Sequence, residues 1–529
     1  VFNRPKRGKA FNPGVVLMAM SLKPMDAKRW DERHARHLLN RAGFGLPAER
    51  VTRLAKMSPD SAVDYLLDFA DEPDTFPAPG FLVTPQDYRD MRAGMRGLDE
   101  EARRKASQDY QRDERQAIQN LKAWWLERMH TTEHPLQEKL TLFWHGHFAT
   151  SAQKVRSSWN TYQLNDTFRR NAAGNFKSLT IAVGQSPSML HYLDNRKSTK
   201  KSPNENWARE LMELFTLGQG QYTEDDIKNS ARAFTGWTCD FEQFRYQKQI
   251  HDFGDKSFMG RTGDFDGWNI IDIIFEQPAA ASFIATKLWR FFAYDDPEPE
   301  VIEGLATTLR HHEYELRPML RELFLSRAFY SEKAMGQQIK SPAQLVVQLA
   351  SDLEYVHPPY PAMAGATARL GQDLFFPPNV KGWDGNRAWI NANALLVRYN
   401  LPVALVRLRP QPGREAYLGQ AGLDSGEKMA PDKRDAMMQG GGADGDRPEA
   451  WNPRRFLASL DFKTAGECVD EMTRHFLCVP LSKEQRNVLI QALEVRGGEN
   501  GAMRAGNVKP RNLMASLHLL LSTAEYQLC

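Results

Sequence analysis

The sequence predicts a mainly α-helical protein: a large irregular multi-helix domain with one short β-hairpin or small sheet, plus a helical C-terminal cap. Three observations carry that expectation. Apolar residues recur at three- and four-residue spacings along most of the chain, as one face of a helix requires. Strands do not alternate with helices, and no phosphate-loop or dinucleotide fingerprint marks a parallel sheet. Several periodic stretches open on a Ser or Thr followed three residues later by an acid or amide, the pattern of a capping box.

The elements follow in order. Residues 1–25 are an N-terminal extension, whose apolar run from Val15 to Met20 spans six residues. A bilayer span needs about 20 and a signal-peptide core about 7 to 15, so no membrane span is expected and any export signal is incomplete. The main helical domain is expected over 26–411. It opens with Asp26 to Arg41, where Trp30, His34, His37 and Leu38 share a face, and stops at Gly43. Asp99 to His130 reads as a long helix whose polar first part projects from the body. Pro135 to about His147 places Leu136, Leu140, Phe143 and His147 on one face. Further helices are expected over Pro203–Leu217, Glu224–Phe234, Ala279–Phe292, Pro299–Arg327 and Pro342–Tyr355, with strand character only in Phe241–Phe258. Residues 412–452 hold eight glycines and few apolar residues, and read as a flexible linker or loop. Beyond it, 453–529 is a helical segment packing on the main domain, with boxes at Thr464–Glu467 and Ser482–Gln485.

Charge and cysteine content narrow the function classes. In 529 residues, Lys+Arg 69 against Asp+Glu 66 leaves a net charge of +3, which excludes nucleic-acid binding through bulk charge and suits an uncharged ligand. Four cysteines cannot build a disulfide scaffold. Cys468 and Cys478 sit ten residues apart on or beside one helix, roughly 15 Å, whereas a disulfide needs less than about 7 Å.

Four segments carry chemistry-bearing side chains, and each has a structural explanation too. In Ser202–Leu214, Ser202 is a good N-cap, Pro203 a good first residue, and Glu205 with Arg209 an i,i+4 ion pair. The same helix aligns Asn206, Glu210 and Glu213 on one face, where carboxylates and an amide converge on a ligand. Phe143–Phe148 carries His145 and His147. Two histidines two apart chelate a metal from a strand or loop, but in a helix they point about 200° apart. His251-Asp252, near Lys256, is either acid–base machinery or Asx-turn chemistry with Gly254. Pro377–Asn391 combines Lys381, Trp383 and Trp389 with amides, as loops that stack sugar rings do. No GxSxG, CxxC or HExxH signature occurs.

Taken in order, these pieces resemble the large bacterial family catalogued as domain of unknown function 1800. The matching segments are His37–Gly45, Phe143–Ser151, Asn204–Leu211 with Thr216–Gly218, Tyr222-Thr223, Thr235–Trp237, His251-Asp252 with Lys256, Lys340–Pro342, Pro377–Trp383 with Trp389–Asn391, and Leu519–Gln527. The resemblance covers about 30 to 529. It implies a mostly helical, commonly exported protein, hence the periplasm or cell exterior, and a sulfatase-like exported partner protein. The chain departs from the pattern at Phe215, where the family often has a histidine.

The expected function is an exported hydrolase acting on a glycan or similar polar polymer. Glu210 is expected as general acid or base, Glu205 or Asp252 as second carboxylate, and His251 as assistant in proton transfer. Arg209 and Lys256 would separate the ionisation states, with Asn206, Lys381, Trp237, Trp383 and Trp389 holding substrate. Two alternatives stay open: a metal-dependent enzyme with His145 and His147 binding a divalent ion, and a non-catalytic assembly or surface-binding protein.

Overall fold

A computed structural model describes residues 21–45, 47–69, 76–355, 358–406, 453–504 and 508–529. The 412–452 linker and most of the 1–25 extension lie outside these residues. The protein is mainly helical, with 62% of residues in about 23 helices, and two small two-stranded antiparallel sheets that contribute Trp237 and Phe258 to the core.

Local capping chemistry explains many helix starts. Thr223, Thr464 and Ser482 each close a reciprocal box with Asp226, Glu467 and Gln485. The Ser202 cap does not form. Ser202 is engaged in a tight turn with Thr199, and Asn204 caps the Glu205–Glu210 helix by accepting from the Asn206 N–H. That helix then widens into a π-helical turn over Leu211–Thr216, and Gly218, at φ 84°, stops it.

The expected single hairpin is two. β1 (Trp237–Cys239) pairs with β2 (Phe244–Tyr246), and β3 (Lys256–Phe258) with β4 (Arg261–Gly263). Asp240 turns the first by accepting the N–H groups of Glu242 and Gln243. Met259 and Gly260, both at positive φ, turn the second. The expected 299–327 helix is likewise two, Pro299–His311 and Leu316–Leu325, because Glu313 and Tyr314 adopt left-handed backbone between them.

The long helix runs from Glu100 to Thr131, capped by Asp99. Its first half is braced and does not project alone. Tyr110 packs on Tyr88 of the Pro85–Gly94 helix, and Tyr88 stacks on Phe241 at 4.3 Å. Its second half buries Leu121, Trp125 and Met129 in a core shared with the Pro342–Asp352 and Pro510–Leu521 helices. Residues after 453 therefore meet the rest of the molecule through apolar burial and polar bonds together. Tyr526 donates to Asp352 at 3.0 Å, Arg398 to Gln527 at 2.9 Å, and Arg36 to the His475 carbonyl at 3.1 Å.

An ionic group sits at the centre of this packing. Glu138 is fully buried on the Pro135–His147 helix and accepts from Arg169 at 2.5 and 3.1 Å, Arg128 at 2.6 Å and Trp125 at 2.9 Å. Three helices are thereby tied through one carboxylate. Burial alone would raise its pKa, but the charge and hydrogen bonds of Arg169, with Arg128 and Trp125, hold it down to about 2.

Candidate functional site

The Pro135–His147 helix ends where the expected metal pair lies, and it is still helical there. His145 and His147 consequently point to different surroundings. The Nε2 of His145 accepts the Phe375 N–H at 3.1 Å, so its proton sits on Nδ1. His147 faces the other way: its Nε2 lies 2.9 Å from the Phe215 carbonyl oxygen and must carry the proton it donates. Burial lowers both pKa values, that of His145 to about 3. One histidine thus has its free lone pair used by a backbone amide, and the two rings do not converge. Among the described residues no three His, Cys, Asp or Glu side chains gather to hold a metal ion. The chelating pair expected from the HxH spacing is a pair of core histidines.

What His147 does hold is the π-helical turn, through the carbonyl of Phe215, the position where a histidine was expected. The adjacent Gly146 receives the 377–386 loop. Trp383 lies over Gly146 and packs on His145 with ring centroids 5.6 Å apart. Gly382 has φ 83°, and a Cβ there would overlap the Gly146 carbonyl, so glycine is required for this close approach. The HxH segment and the Pro377–Asn391 loop therefore meet, and the HxH segment also touches the π-helical turn that follows the Glu205–Glu210 helix.

On the Glu205–Glu210 helix, Glu210 lies within electrostatic reach of Lys381 on that loop. Glu210 is half-buried, and among the described residues no hydrogen bond or ion pair reaches its carboxyl. Desolvation and then the negative charge of Glu213 raise its pKa, against the opposing charges of Arg209 and Lys381. Lys381 is exposed on the docked loop. Glu213 is held by the Tyr222 hydroxyl at 3.2 Å and the Gln219 amide at 2.7 Å. Tyr192 borders Glu210, whose charge adds to burial in raising the phenol pKa. Asn206, one turn before Glu210, is exposed.

The remaining nominated residues are elsewhere or already occupied. Arg209 binds Glu205 at 3.5 Å, the surface pairing that helix spacing predicts, and Glu224 as a second partner at 2.9 and 3.0 Å. Asp252 is gripped by Arg232 at 2.8 and 3.2 Å and accepts the Gly254 N–H, an Asx turn, and that Arg232 contact lowers its pKa. His251 is buried with Nδ1 2.7 Å from the Thr235 carbonyl. Lys256 is fully buried and bonds Asp264 at 3.2 Å. Trp237 is a core residue packed on Phe234 and Trp268, and Trp389 is buried as well. Neither tryptophan lines a path for substrate. A cavity of about 480 Å³ lies apart from all of these, between Pro402 and the Met514–Leu519 face.

Sequence reasoning missed Tyr192, Arg232, Asp264 and the Glu138 cluster. Only Glu138 left a local trace, as an acid inside an otherwise apolar helix. The others are pairings that only the fold makes.

Compared with protein-family models, residues 37–528 match the one described as "Protein of unknown function (DUF1800)". No curated protein matches the chain, and no solved structure does. A family match over nearly the whole length is decisive for membership: the chain belongs to the DUF1800 family.

Proposed function

We propose that the protein is a hydrolase acting on a glycan or similar polar polymer, with Glu210 as its general acid. The carrying observation is the state of that carboxyl. It is half-buried, unbonded and raised in pKa beside a second carboxylate, Glu213, which is hydrogen-bonded. A proton donor at neutral pH needs a raised pKa, and paired carboxylates in unlike surroundings divide the acid and base roles. Glu213 takes the place expected for Glu205 or Asp252, because arginines already neutralise those two. Lys381, Tyr192 and Asn206 supply the polar contacts around Glu210. Family resemblance supports an exported location and a sulfatase-like partner, and no helix among the described residues is long and apolar enough to cross a membrane.

A panel of polysaccharides assayed for reducing-end release tests this reading. Glu210→Gln is expected to lower kcat on the responsive substrate by about 100-fold or more, with retained binding. Full activity in that variant removes Glu210 from catalysis. Binding without turnover across the panel favours the non-catalytic surface-binding alternative.

A further inference from the structure

We infer that the polymer bound at the Glu210 face is acidic, a glycan bearing carboxylate or sulfate groups, and that the turn over residues 195–201 grips it. This rests on the glycan reading above and names its substrate class. The segment Asn195-Arg-Lys-Ser-Thr-Lys-Lys201 carries four cations and no acid. The chain's overall charge is near zero, so this excess is local.

The turn is built rigidly. Thr199 and Ser202 exchange backbone hydrogen bonds at 3.2 and 2.9 Å, and the Lys200 N–H bonds the Ile250 carbonyl at 2.8 Å. The Asn204 N–H bonds Ser198 Oγ at 3.0 Å, joining the turn to the start of the Glu205–Glu210 helix. Lys200 and Lys201 are exposed at its tip, and among the described residues no ion pair engages either side chain. Among the described residues the half-buried Arg196 also has no carboxylate partner, and its Nε is buried without an acceptor. Nearby acids are already used: Asp194 by Lys154 at 2.7 Å and by Lys197 of the turn itself at 3.6 Å, and Glu205 and Glu224 by Arg209, which leaves Arg196, Lys200 and Lys201 as the cations open to a ligand.

An ordered backbone removes the loop-ordering share of the cost of binding an anion, and the lysine side chains lose only their own rotamer freedom. Five residues of helix separate Glu205 from Glu210, roughly 7.5 Å, and the turn lies beyond that. A polymer spans this distance and a small metabolite does not. A nucleic acid would ask for a row of aromatic faces. Phe253, three residues beyond the Ile250 carbonyl that holds the turn, is a single exposed ring and not such a row.

Binding of the purified protein to polygalacturonate (carboxylated), dextran sulfate (sulfated), neutral dextran and a single-stranded DNA oligomer decides it. Binding to one or both acidic glycans is expected, weakening as salt is raised, and the two arms identify the acidic group. The double variant Lys200→Ser/Lys201→Ser should weaken that binding about tenfold, with unchanged far-ultraviolet circular dichroism. Glu210→Gln should leave the same affinity within about twofold. Equal affinity for neutral dextran, tighter binding of DNA, or indifference to the lysine substitutions overturns the inference. Lysine-dependent binding of an acidic glycan without turnover sustains this inference and defeats the hydrolase reading. Glu210-dependent cleavage of a neutral glycan alone does the reverse.

Discussion

Glu138 and Glu210 are both glutamates in helices of one molecule, and their surroundings drive them in opposite directions. Glu138 is fully buried and accepts from two guanidiniums and an indole, so it stays ionised to about pH 2. Glu210 is half-buried and bonded to nothing, and it holds its proton to higher pH than usual. The first arrangement spends every lone pair on neighbouring helices and leaves none for a ligand. The second leaves its whole bonding capacity to whatever arrives from solvent. Burial of a charge is therefore not the mark of a functional group here; an unmet bonding capacity beside solvent is.

The contrast breaks most visibly at Glu138. Glu138→Gln keeps the shape but removes the buried carboxylate to which Arg128 and Arg169 both donate. Removing one partner of a buried ionic group costs about 3–5 kcal/mol. Urea unfolding at neutral pH should show a loss of that size. A loss under about 1 kcal/mol would mean that the guanidiniums relax to other acceptors, and that Glu138 does not organise the core.

Acid titration of wild-type stability sharpens the same comparison. Glu138 has a depressed folded pKa, so its contribution is present above the ordinary glutamate range and lost as pH falls through about 2. His145 is also depressed, to about 3. It titrates near 6.5 when unfolded, so its contribution is complete above that value and drains away as pH falls toward 3. Melting temperature should decline steadily from pH 6.5 to pH 3. A flat profile over that window would place both groups in wetter surroundings than the packing indicates.

Legibility in the sequence followed the range of each interaction. The boxes at Thr223, Thr464 and Ser482 are readable because cap and partner lie three residues apart. Arg209 with Glu205 is readable for the same reason. The Ser202 cap misled because a tight turn with Thr199 takes that residue before the helix begins, a competition invisible in the local pattern. The Arg169–Glu138 pair, 31 residues apart, leaves no periodic trace. The site itself was half legible. Glu210 and Lys381 could be nominated separately, whereas their meeting depends on Gly146 and Gly382 letting two backbones touch. Tryptophan count misdirected: Trp237 is core, because an indole buries more apolar area than almost any other side chain.

The smallest expected effect is the most discriminating. Glu210→Gln removes a carboxylate that makes no hydrogen bond or ion pair and that is repelled by Glu213. Its charge is repelled by Glu213 and attracted by Arg209 and Lys381, none of which bonds to it. A raised folded pKa means that the ionised form is tolerated less well in the folded state than in the unfolded one. Its stabilising share is present below the ordinary glutamate pKa and lost as pH rises through the raised value. The glutamine variant should therefore match wild type in acid and equal or slightly exceed it at neutral pH. Partial exposure screens the gain to about 0.5 kcal/mol or less. Urea unfolding of both proteins at pH 4 and pH 7.5 measures it. A loss above about 2 kcal/mol at either pH would put Glu210 in the same class as Glu138, as a structural carboxylate whose partners form only in the folded protein. The free proton donor on which the functional reading depends would then not exist.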